Sequence, residues 1–325
     1  MGDPALREDS QPNPSKGWLG DRPGRSLLRI AAALLGTALA GTALATIWPK
    51  PDPIGADVQA TNQSLTLAPL PEQAVMVLLV GLDADTINAV SNQAAPPGPA
   101  NADSLMLINI RAKQPVQILQ LPSELAVQLP GIKEMQPLSK TWQHGGIALT
   151  ADVVGELIGL PLNKPDRYLV LSRQGLRRVV EGLGDIEVTL NQTYKYEDKS
   201  QDYSVNLQAG LQTLNGAQAE QLARYKPKAN DDPQRRVRQQ VLLQGVQQQL
   251  NEIDAVAVVP ELLNALSTQV TTDISSTEML SLIAAAISAP SPPVISEVPL
   301  APRAGQQRLR ELKPNLSLPL WPDQN

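Results

Sequence analysis

The residues best suited to chemistry in this sequence are basic and cluster between Leu222 and Gln240. The cluster stands out because the whole chain is acidic, with a formal net charge of -5. Arginine side chains can fork onto phosphate or carboxylate oxygens, so such a cluster is typical of an anion site. A solvated helix face is the alternative interpretation. The basic residues are Arg224, Lys226, Lys228, Arg235, Arg236 and Arg238, and the only acids among them are Asp231 and Asp232.

The second half of this cluster is predicted to begin a helix. Asp232 suits the N-cap, Pro233 suits the first turn, and the helix is expected to run to about Leu250. Arg235 and Arg238 are three residues apart and therefore share a helix face. Cations in a first turn oppose the helix dipole unless an anion binds there. The placement therefore favours a phosphate site over a solvated face.

Two aspartates lie at the ends of predicted strands. The aliphatic run Ala74–Leu82 is typical of a strand that is buried on both faces, and Asp83 follows it directly. Asp103 precedes a second apolar run, Ser104–Ile110. Ligands of open α/β sheets commonly bind at the carboxyl ends of strands, so Asp83 is a candidate binding residue.

Strand and helix patterns alternate through the chain as far as residue 287, with one hairpin included. The predicted fold class is therefore α/β, with a mixed central β-sheet flanked by helices. The segment Asn191–Ser204 shows neither pattern, and the prolines after Ala289 indicate an extended tail. Further strands are predicted at Pro115–Leu121, Tyr168–Leu171 and Ile186–Leu190, and helices at Gly145–Leu160, Arg173–Leu183, Ala217–Ala223, Val259–Leu266 and Thr277–Ile287.

The N-terminal part is predicted to anchor this domain in a membrane through one transmembrane helix. The run Ile30–Ile47 has no charged residue and nearly the length that a spanning helix needs. Arginines precede the run and aspartates follow it, which places the N-terminus in the cytoplasm. The predicted divisions are a disordered cytoplasmic tail at 1–25, a transmembrane helix at 26–48, a linker at 49–73, the exported domain at 74–287 and a proline-rich tail at 288–325.

A cleaved signal peptide is the alternative for the apolar run, because Ala43-Leu44-Ala45 has the form of a processing site. Both interpretations export the domain, which argues against nucleic acid as the partner of the basic cluster. The chain has no cysteine, so disulfides, thiolate metal sites and cysteine nucleophiles are excluded. Its only histidine, His144, has no readable serine or acid partner, so a histidine relay is not favoured.

The order of motifs resembles the LytR-CpsA-Psr family, over about residues 74–285. The most specific part of the resemblance is the D-x-x-R-x-x-R-Q-Q pattern that begins at Asp232. The matching motifs, in family order, are Leu78-Leu79-Val80-Gly81-Leu82-Asp83, Ala102-Asp103-Ser104-Leu105-Met106, Leu121-Pro122-Ser123-Glu124, Gly145-Gly146, Gly182-Leu183-Gly184-Asp185-Ile186-Glu187-Val188, Leu214-Asn215-Gly216, Arg224-Tyr225-Lys226 and Asp232-Pro233-Gln234-Arg235-Arg236-Val237-Arg238-Gln239-Gln240.

This resemblance implies a phosphotransferase of the bacterial plasma membrane. Such proteins move a glycopolymer from a polyprenyl-diphosphate carrier to peptidoglycan, and hold the lipid in an aliphatic tunnel. By the resemblance, Asp83 and Asp103 bind Mg2+ or Mn2+ and, with Arg235, form the catalytic set. Two carboxylates suffice for this because Mg2+ takes much of its coordination from substrate phosphate. The diphosphate would be held by Arg224, Lys226, Arg235, Arg238 and Gln239.

The chain departs from the family pattern at three cationic positions. Asn101 and Ser123 stand where the family has arginines, and Lys226 keeps the charge of an arginine without its fork. The sequence therefore leaves two functions open, a working phosphotransferase and a non-catalytic protein that binds polyprenyl phosphate or glycan. It also leaves open whether the apolar residues of the last two helices line a lipid tunnel or only pack against the sheet.

Overall fold

The computed structural model describes residues 68–89, 98–198, 203–228, 231–252, 255–266, 269–303, 305 and 307–321. The strands within these residues are β1 (Val75–Leu82), β2 (Ala102–Ile110), β3 (Gln117–Leu121), β4 (Ala126–Val127), β5 (Gln136–Pro137), β6 (Arg167–Leu171), β7 (Ile186–Leu190), β8 (Tyr194–Asp198), β9 (Tyr203–Leu207), β10 (Gly210–Leu214), β11 (Val270–Thr272) and β12 (Val294–Glu297). The helices are α1 (Thr141–Ile158), α2 (Arg173–Gly182), α3 (Gly216–Arg224), α4 (Asp232–Glu252), α5 (Ala255–Ala265) and α6 (Ser276–Ile287), and one 3-10 turn covers Leu138–Lys140.

Six strands form the main sheet, in the order β11-β6-β1-β2-β3-β12. The first two apolar runs of the sequence, β1 and β2, pair antiparallel in its centre. On the other side of β1, strand β6 is parallel to it. Strand β12 is parallel to β3 at one edge, and β11 is antiparallel to β6 at the other. The sheet is therefore mixed, as the sequence predicts.

Side chains of β1 alternate between the two faces of this sheet, as the period of a strand requires. Leu78 belongs to an apolar cluster that includes Val154 and Ile158 of α1. Its neighbour Val77 belongs to a separate cluster that includes Leu282 of α6. Helices thus cover both faces, which confirms the predicted α/β arrangement and explains why β1 is aliphatic throughout.

Helix α1 begins at Thr141, four residues before the predicted start, and is bent at the glycine pair. Gly146 has φ 60° and ψ -149°, a conformation that is essentially restricted to glycine. Beyond the bend, the Thr150 hydroxyl donates to the Gly146 carbonyl at 2.7 Å. The glycine pair therefore sets the bend in this helix.

A second layer of structure packs against α4. Two antiparallel strand pairs, β7 with β10 and β8 with β9, enclose an apolar cluster together with α3 and α4. Strands β8 and β9 fall largely within Asn191–Ser204, where the sequence predicts no element. The prediction missed them because their outward residues are polar or charged. Only alternate positions such as Val205 and Leu207 are buried.

The segment after residue 287 is extended, as its prolines predict, but part of it belongs to the main sheet. Strand β12 adds its backbone to the open edge of β3, which only a tertiary neighbour could reveal. Trp321, to which the sequence gives no role, is 6% exposed and belongs to the same apolar cluster as α1. The Leu320 amide donates to the Ile158 carbonyl at 2.8 Å. This segment therefore closes over the end of α1.

The predicted transmembrane run Ile30–Ile47 lies outside the described residues. Among the residues that the structure does describe, none of the helices combines the length and the apolar character that crossing a bilayer requires.

Candidate functional site

The polar residues of the candidate site meet at one edge of the main sheet. The register pairs Leu82 at the end of β1 with Ala102 at the start of β2, so Asp83 and Asp103 lie at the same edge. Because β6 is parallel to β1, its carboxyl end also lies there, and Arg173 follows it after one residue. The Arg173 amide donates to the Ala84 carbonyl at 2.8 Å, which fixes these two chain segments together.

A cavity of about 400 Å³ extends from this edge beneath the sheet. Its interior is aliphatic, with side chains from β1, β2, β6, α2, α4, α5 and α6. The residues of the last two helices that the sequence could not assign, such as Leu263 and Ile283, line this cavity. We call the charged and polar part of the lining the polar end; it comprises Asp83, Asp103, Ser104, Ser172, Arg173, Glu220, Arg224 and Gln239.

Asp83 is bound to the residue that replaces a family arginine. The Asn101 backbone N–H donates to Asp83 Oδ1 at 2.7 Å, and the Asn101 side-chain Nδ2 donates to Asp83 Oδ2 at 2.9 Å. The substitution therefore keeps a hydrogen bond to the acid but supplies no charge. The sequence could predict the missing charge, but not this pairing.

Asp103 is held by Arg235. Arg235 Nη1 donates to Asp103 Oδ2 at 2.8 Å, and Arg235 Nη2 donates to Ser123 Oγ at 3.0 Å. Burial lowers the pKa of the Arg235 guanidinium, but the nearby carboxylates of Asp103, Asp232 and Glu124 outweigh that effect and raise it above its ordinary value. Arg235 is therefore a permanent cation behind Asp103, whose side chain is 37% exposed.

Gln239 reaches the polar end one helical turn beyond Arg235. Its Oε1 atom accepts from Ser104 Oγ at 3.3 Å and from Gln120 Nε2 at 3.4 Å. The amide is thus oriented by two strands of the sheet. Gln239 and Arg224 are the predicted diphosphate-binding residues that line the cavity.

Arg224 is positioned by a buried acid and by an aromatic ring. Its Nη1 atom donates to Glu220 Oε1 at 3.0 Å, one helical turn back on α3. Its guanidinium carbon lies 4.5 Å from the centre of the Tyr203 ring, a distance typical of a cation-π contact. Tyr203 is a residue of β9, one of the strands that the sequence did not predict.

The other predicted diphosphate-binding cations contact protein groups in this structure. Lys226 Nζ lies 2.6 Å from Asp232 Oδ1. Arg238 donates to Asp231 Oδ2 at 2.9 Å and to the Tyr225 carbonyl, and its guanidinium lies over the Tyr225 ring. These contacts explain why Arg238 is buried, with 3% exposure, although it belongs to the basic cluster.

Arg173 and Glu220 belong to the polar end, although the sequence reasoning passed over both. Glu220 is 2% exposed and contacts Arg173, Arg177 and Arg224. The signal for Arg173 was present, because it follows the parallel strand β6 as Asp83 follows β1. Glu220 gave no such signal, since a single acid in a short helix is usually exposed.

The two aspartates are the groups that could hold a metal ion. Within the described residues there is no group of three or more histidine, cysteine, aspartate or glutamate side chains with the placement of a metal site. Asp103 is partly exposed at the polar end and Asp83 lies on the adjacent strand end. Such a pair suits Mg2+ or Mn2+, which take the rest of their ligands from water and substrate phosphate.

A mixed sheet between helices, with a charged end on an aliphatic cavity, defines an α/β protein suited to an amphiphilic anion. The chain belongs to the LytR_cpsA_psr family, whose model matches residues 51–296. A similar protein is the polyisoprenyl-teichoic acid–peptidoglycan teichoic acid transferase TagU of Enterococcus faecalis, which is 28% identical over 204 residues. The match covers 62% of this chain and 62% of TagU, so this chain spans less than two thirds of that relative.

Solved structures share the fold. The crystal structure of B. subtilis TagV superposes with a TM-score of 0.61 at 20% identity, and covers 75% of this chain and 92% of the chain in that structure. The structure of TagT bound to LIIa-WTA superposes with a TM-score of 0.56 at 19% identity, and covers 79% of this chain and 92% of the chain in that structure. At these identities the likeness establishes the fold.

Proposed function

We propose that this protein is a membrane-anchored phosphotransferase that moves a glycopolymer from a polyprenyl-diphosphate carrier to peptidoglycan. The observation that carries the proposal is the cavity, whose aliphatic interior suits a polyprenyl chain and whose polar end suits the diphosphate. The TagU relative, named as a teichoic acid transferase that acts between polyisoprenyl-teichoic acid and peptidoglycan, supports the same substrate class.

The reaction replaces the phosphoanhydride bond of the carrier by a phosphate ester bond to the acceptor. A hydroxyl oxygen of the acceptor forms a bond to the phosphorus nearer the sugar, and the bond from that phosphorus to the bridging oxygen breaks. Polyprenyl phosphate leaves, and the proton of the hydroxyl passes to solvent or to a carboxylate. Phosphoryl transfer of this kind depends mainly on positioning and on neutralisation of charge.

The residues at the polar end have distinct roles in this proposal. Arg224 lies against the diphosphate and neutralises charge, and Gln239 donates its amide to a phosphate oxygen. Asp103 is partly exposed and accepts from the acceptor hydroxyl, while Arg235 holds the Asp103 carboxylate in place. Asp83 and Asp103 would hold a divalent cation, which when bound supplies further charge neutralisation at the phosphates.

Binding of a polyprenyl phosphate or glycan without turnover is the second candidate. The observation that favours it is the lack of charge at Asn101 and Ser123, which are neutral side chains hydrogen-bonded here to Asp83 and Arg235. Two charge-assisted contacts fewer would weaken transition-state stabilisation by on the order of hundreds-fold, at about 1.5 to 3 kcal/mol for each contact.

A turnover assay separates the two candidates. The purified 325-residue chain would be mixed with a polyprenyl-diphosphate-linked saccharide and Mg2+, and release of polyprenyl phosphate followed by mass spectrometry. TagU of Enterococcus faecalis is the positive control. Release above the metal-free reaction is expected. No release while TagU is active would rule out the transferase, and lipid co-purifying with the chain would then support the binding function.

A further inference from the structure

Arg173 is fixed at the polar end of the cavity by its backbone as well as by its side chain. The Arg173 backbone N–H donates to the carbonyl of Ala84, which follows Asp83 in the sequence. The residue before Arg173, Ser172, is the N-cap of α2. The Arg173 side chain is 11% exposed and lines the cavity. The residue therefore presents a guanidinium at the same sheet edge as the two aspartates.

Two acidic side chains contact this guanidinium. Arg173 Nη2 lies 2.8 Å from Asp85 Oδ1, and Arg173 Nη1 lies 3.5 Å from Glu220 Oε1. Glu220 is shared with Arg177 and Arg224, so three guanidinium groups surround two carboxylates. In addition, Arg173 Nε is buried and makes no hydrogen bond with any described protein group.

The helix position makes this arrangement unfavourable unless an anion binds. Arg173 is the first residue of α2, where a cation opposes the partial positive charge of the helix N-terminus. A cation there, facing a cavity, is stabilised by a negatively charged ligand. The distance of 3.5 Å to Glu220 is also long for a charge-assisted bond, so that contact can be exchanged for a phosphate oxygen at small loss.

We propose that Arg173 is a diphosphate-binding residue of this protein, and that, held beside Arg224 by Glu220, it replaces part of the charge absent at Asn101 and Ser123. The inference rests on the proposed function, because it concerns the anion of the same substrate. The two guanidinium groups come from different elements, α2 and α3, and approach from two directions. A ligand with two phosphates can engage both of them, whereas a single phosphate engages fewer donors.

Binding of defined lipids tests this assignment. The 325-residue chain in detergent micelles would be titrated by calorimetry with geranylgeranyl diphosphate, geranylgeranyl phosphate and geranylgeraniol. The variants are Arg173→Gln, Arg173→Lys and Arg177→Gln. Arg177 is the matched control because it also contacts Glu220, but its side chain is 41% exposed and the cavity lining does not include it.

The expected result is a change in the preference for diphosphate over alcohol. Arg173→Gln lowers that preference about tenfold or more, the effect of losing one charge-assisted contact. Arg173→Lys retains part of it, since the charge remains without the fork. Arg177→Gln stays within about twofold of the original chain. Unchanged geranylgeraniol binding in Arg173→Gln verifies that the cavity is intact.

Three results would overturn the inference, and they differ from one another. If the original chain prefers diphosphate and Arg173→Gln keeps that preference, Arg173 is not a binding residue, while the proposed function stands. If the original chain binds all three lipids equally, the proposed diphosphate site itself is refuted. An equal loss of all three lipids in Arg173→Gln would assign the residue a structural role only.

Discussion

The arginines of α4 and those at the polar end of the cavity differ in what surrounds them. Arg235, Arg236 and Arg238 are each less than 8% exposed, and each bonds to an acid of another segment or of the preceding turn. Arg173 and Arg224 share one buried acid and line the cavity. The arginines of α4 are thus engaged by acids, whereas the two arginines that line the cavity come from α2 and α3.

Pairing explains this difference. A buried arginine whose donors are used by carboxylates holds segments together, because removing either partner leaves an uncompensated charge. An arginine that lines a cavity and shares its carboxylate partner with other cations keeps attraction for an incoming anion. The density of charged residues along the sequence does not show whether an arginine is paired with carboxylates or lies beside a cavity. The comparison can be tested by variants that affect stability, turnover or pH dependence separately.

The largest effect is expected for Arg236→Ala. Arg236 Nη1 donates to Glu124 Oε1 at 2.8 Å, and both side chains are nearly buried. Loss of the arginine leaves Glu124 unpaired, so the free energy of unfolding should fall by about 3–5 kcal/mol. Chemical denaturation measures this change.

Arg224→Ala is the counterpart of Arg236→Ala and should lower the affinity for the ligand more than the stability of the fold. We expect it to weaken geranylgeranyl diphosphate binding about tenfold and to change unfolding much less, because its side chain is 20% exposed. Equal stability losses in the two variants would contradict the distinction between structural and cavity-facing arginines.

An intermediate effect is expected for Asp103→Asn. The asparagine can still accept from Arg235, so the fold and the bound lipid should be retained, but the carboxylate is lost from the reacting end. Release of polyprenyl phosphate should fall by about 100-fold or more. Asp152→Asn, an exposed acid on α1, is the control. Turnover that survives in Asp103→Asn would remove the residue from the catalytic set.

The smallest effect is expected for Tyr203→Phe, which keeps the ring under Arg224 but removes a hydroxyl that donates to the Gln221 carbonyl at 2.8 Å. Burial raises the pKa of Tyr203. Protonated tyrosine therefore contributes stability below its unfolded pKa of about 10, and that contribution is lost as the pH rises further. Above about pH 10 the original chain should lose stability more steeply than Tyr203→Phe, by chemical denaturation. Parallel curves would contradict this.

Local pattern was sufficient for most of the main sheet and its helices. The aliphatic run Ala74–Leu82 is the central strand β1, and the helix predicted from Asp232 is α4. The sequence pattern did not predict strands that have only one apolar face, or a strand that forms by pairing with a segment distant in the sequence. Strands β8 and β9 carry polar outward residues, and β12 exists because its backbone meets the edge of β3.

By itself, the sequence determined the family, the α/β class and half of the residues at the polar end, because motif order and hydrophobic period are properties of the chain. Only the tertiary structure decided the partner of each charge. Arg235 meets Asp103 across 132 positions and Arg236 meets Glu124 across 112. Helical spacing fixes which residues share a face, but the sheet register fixes what that face meets. For that reason Glu220 could be recognised as a site residue only in the folded chain.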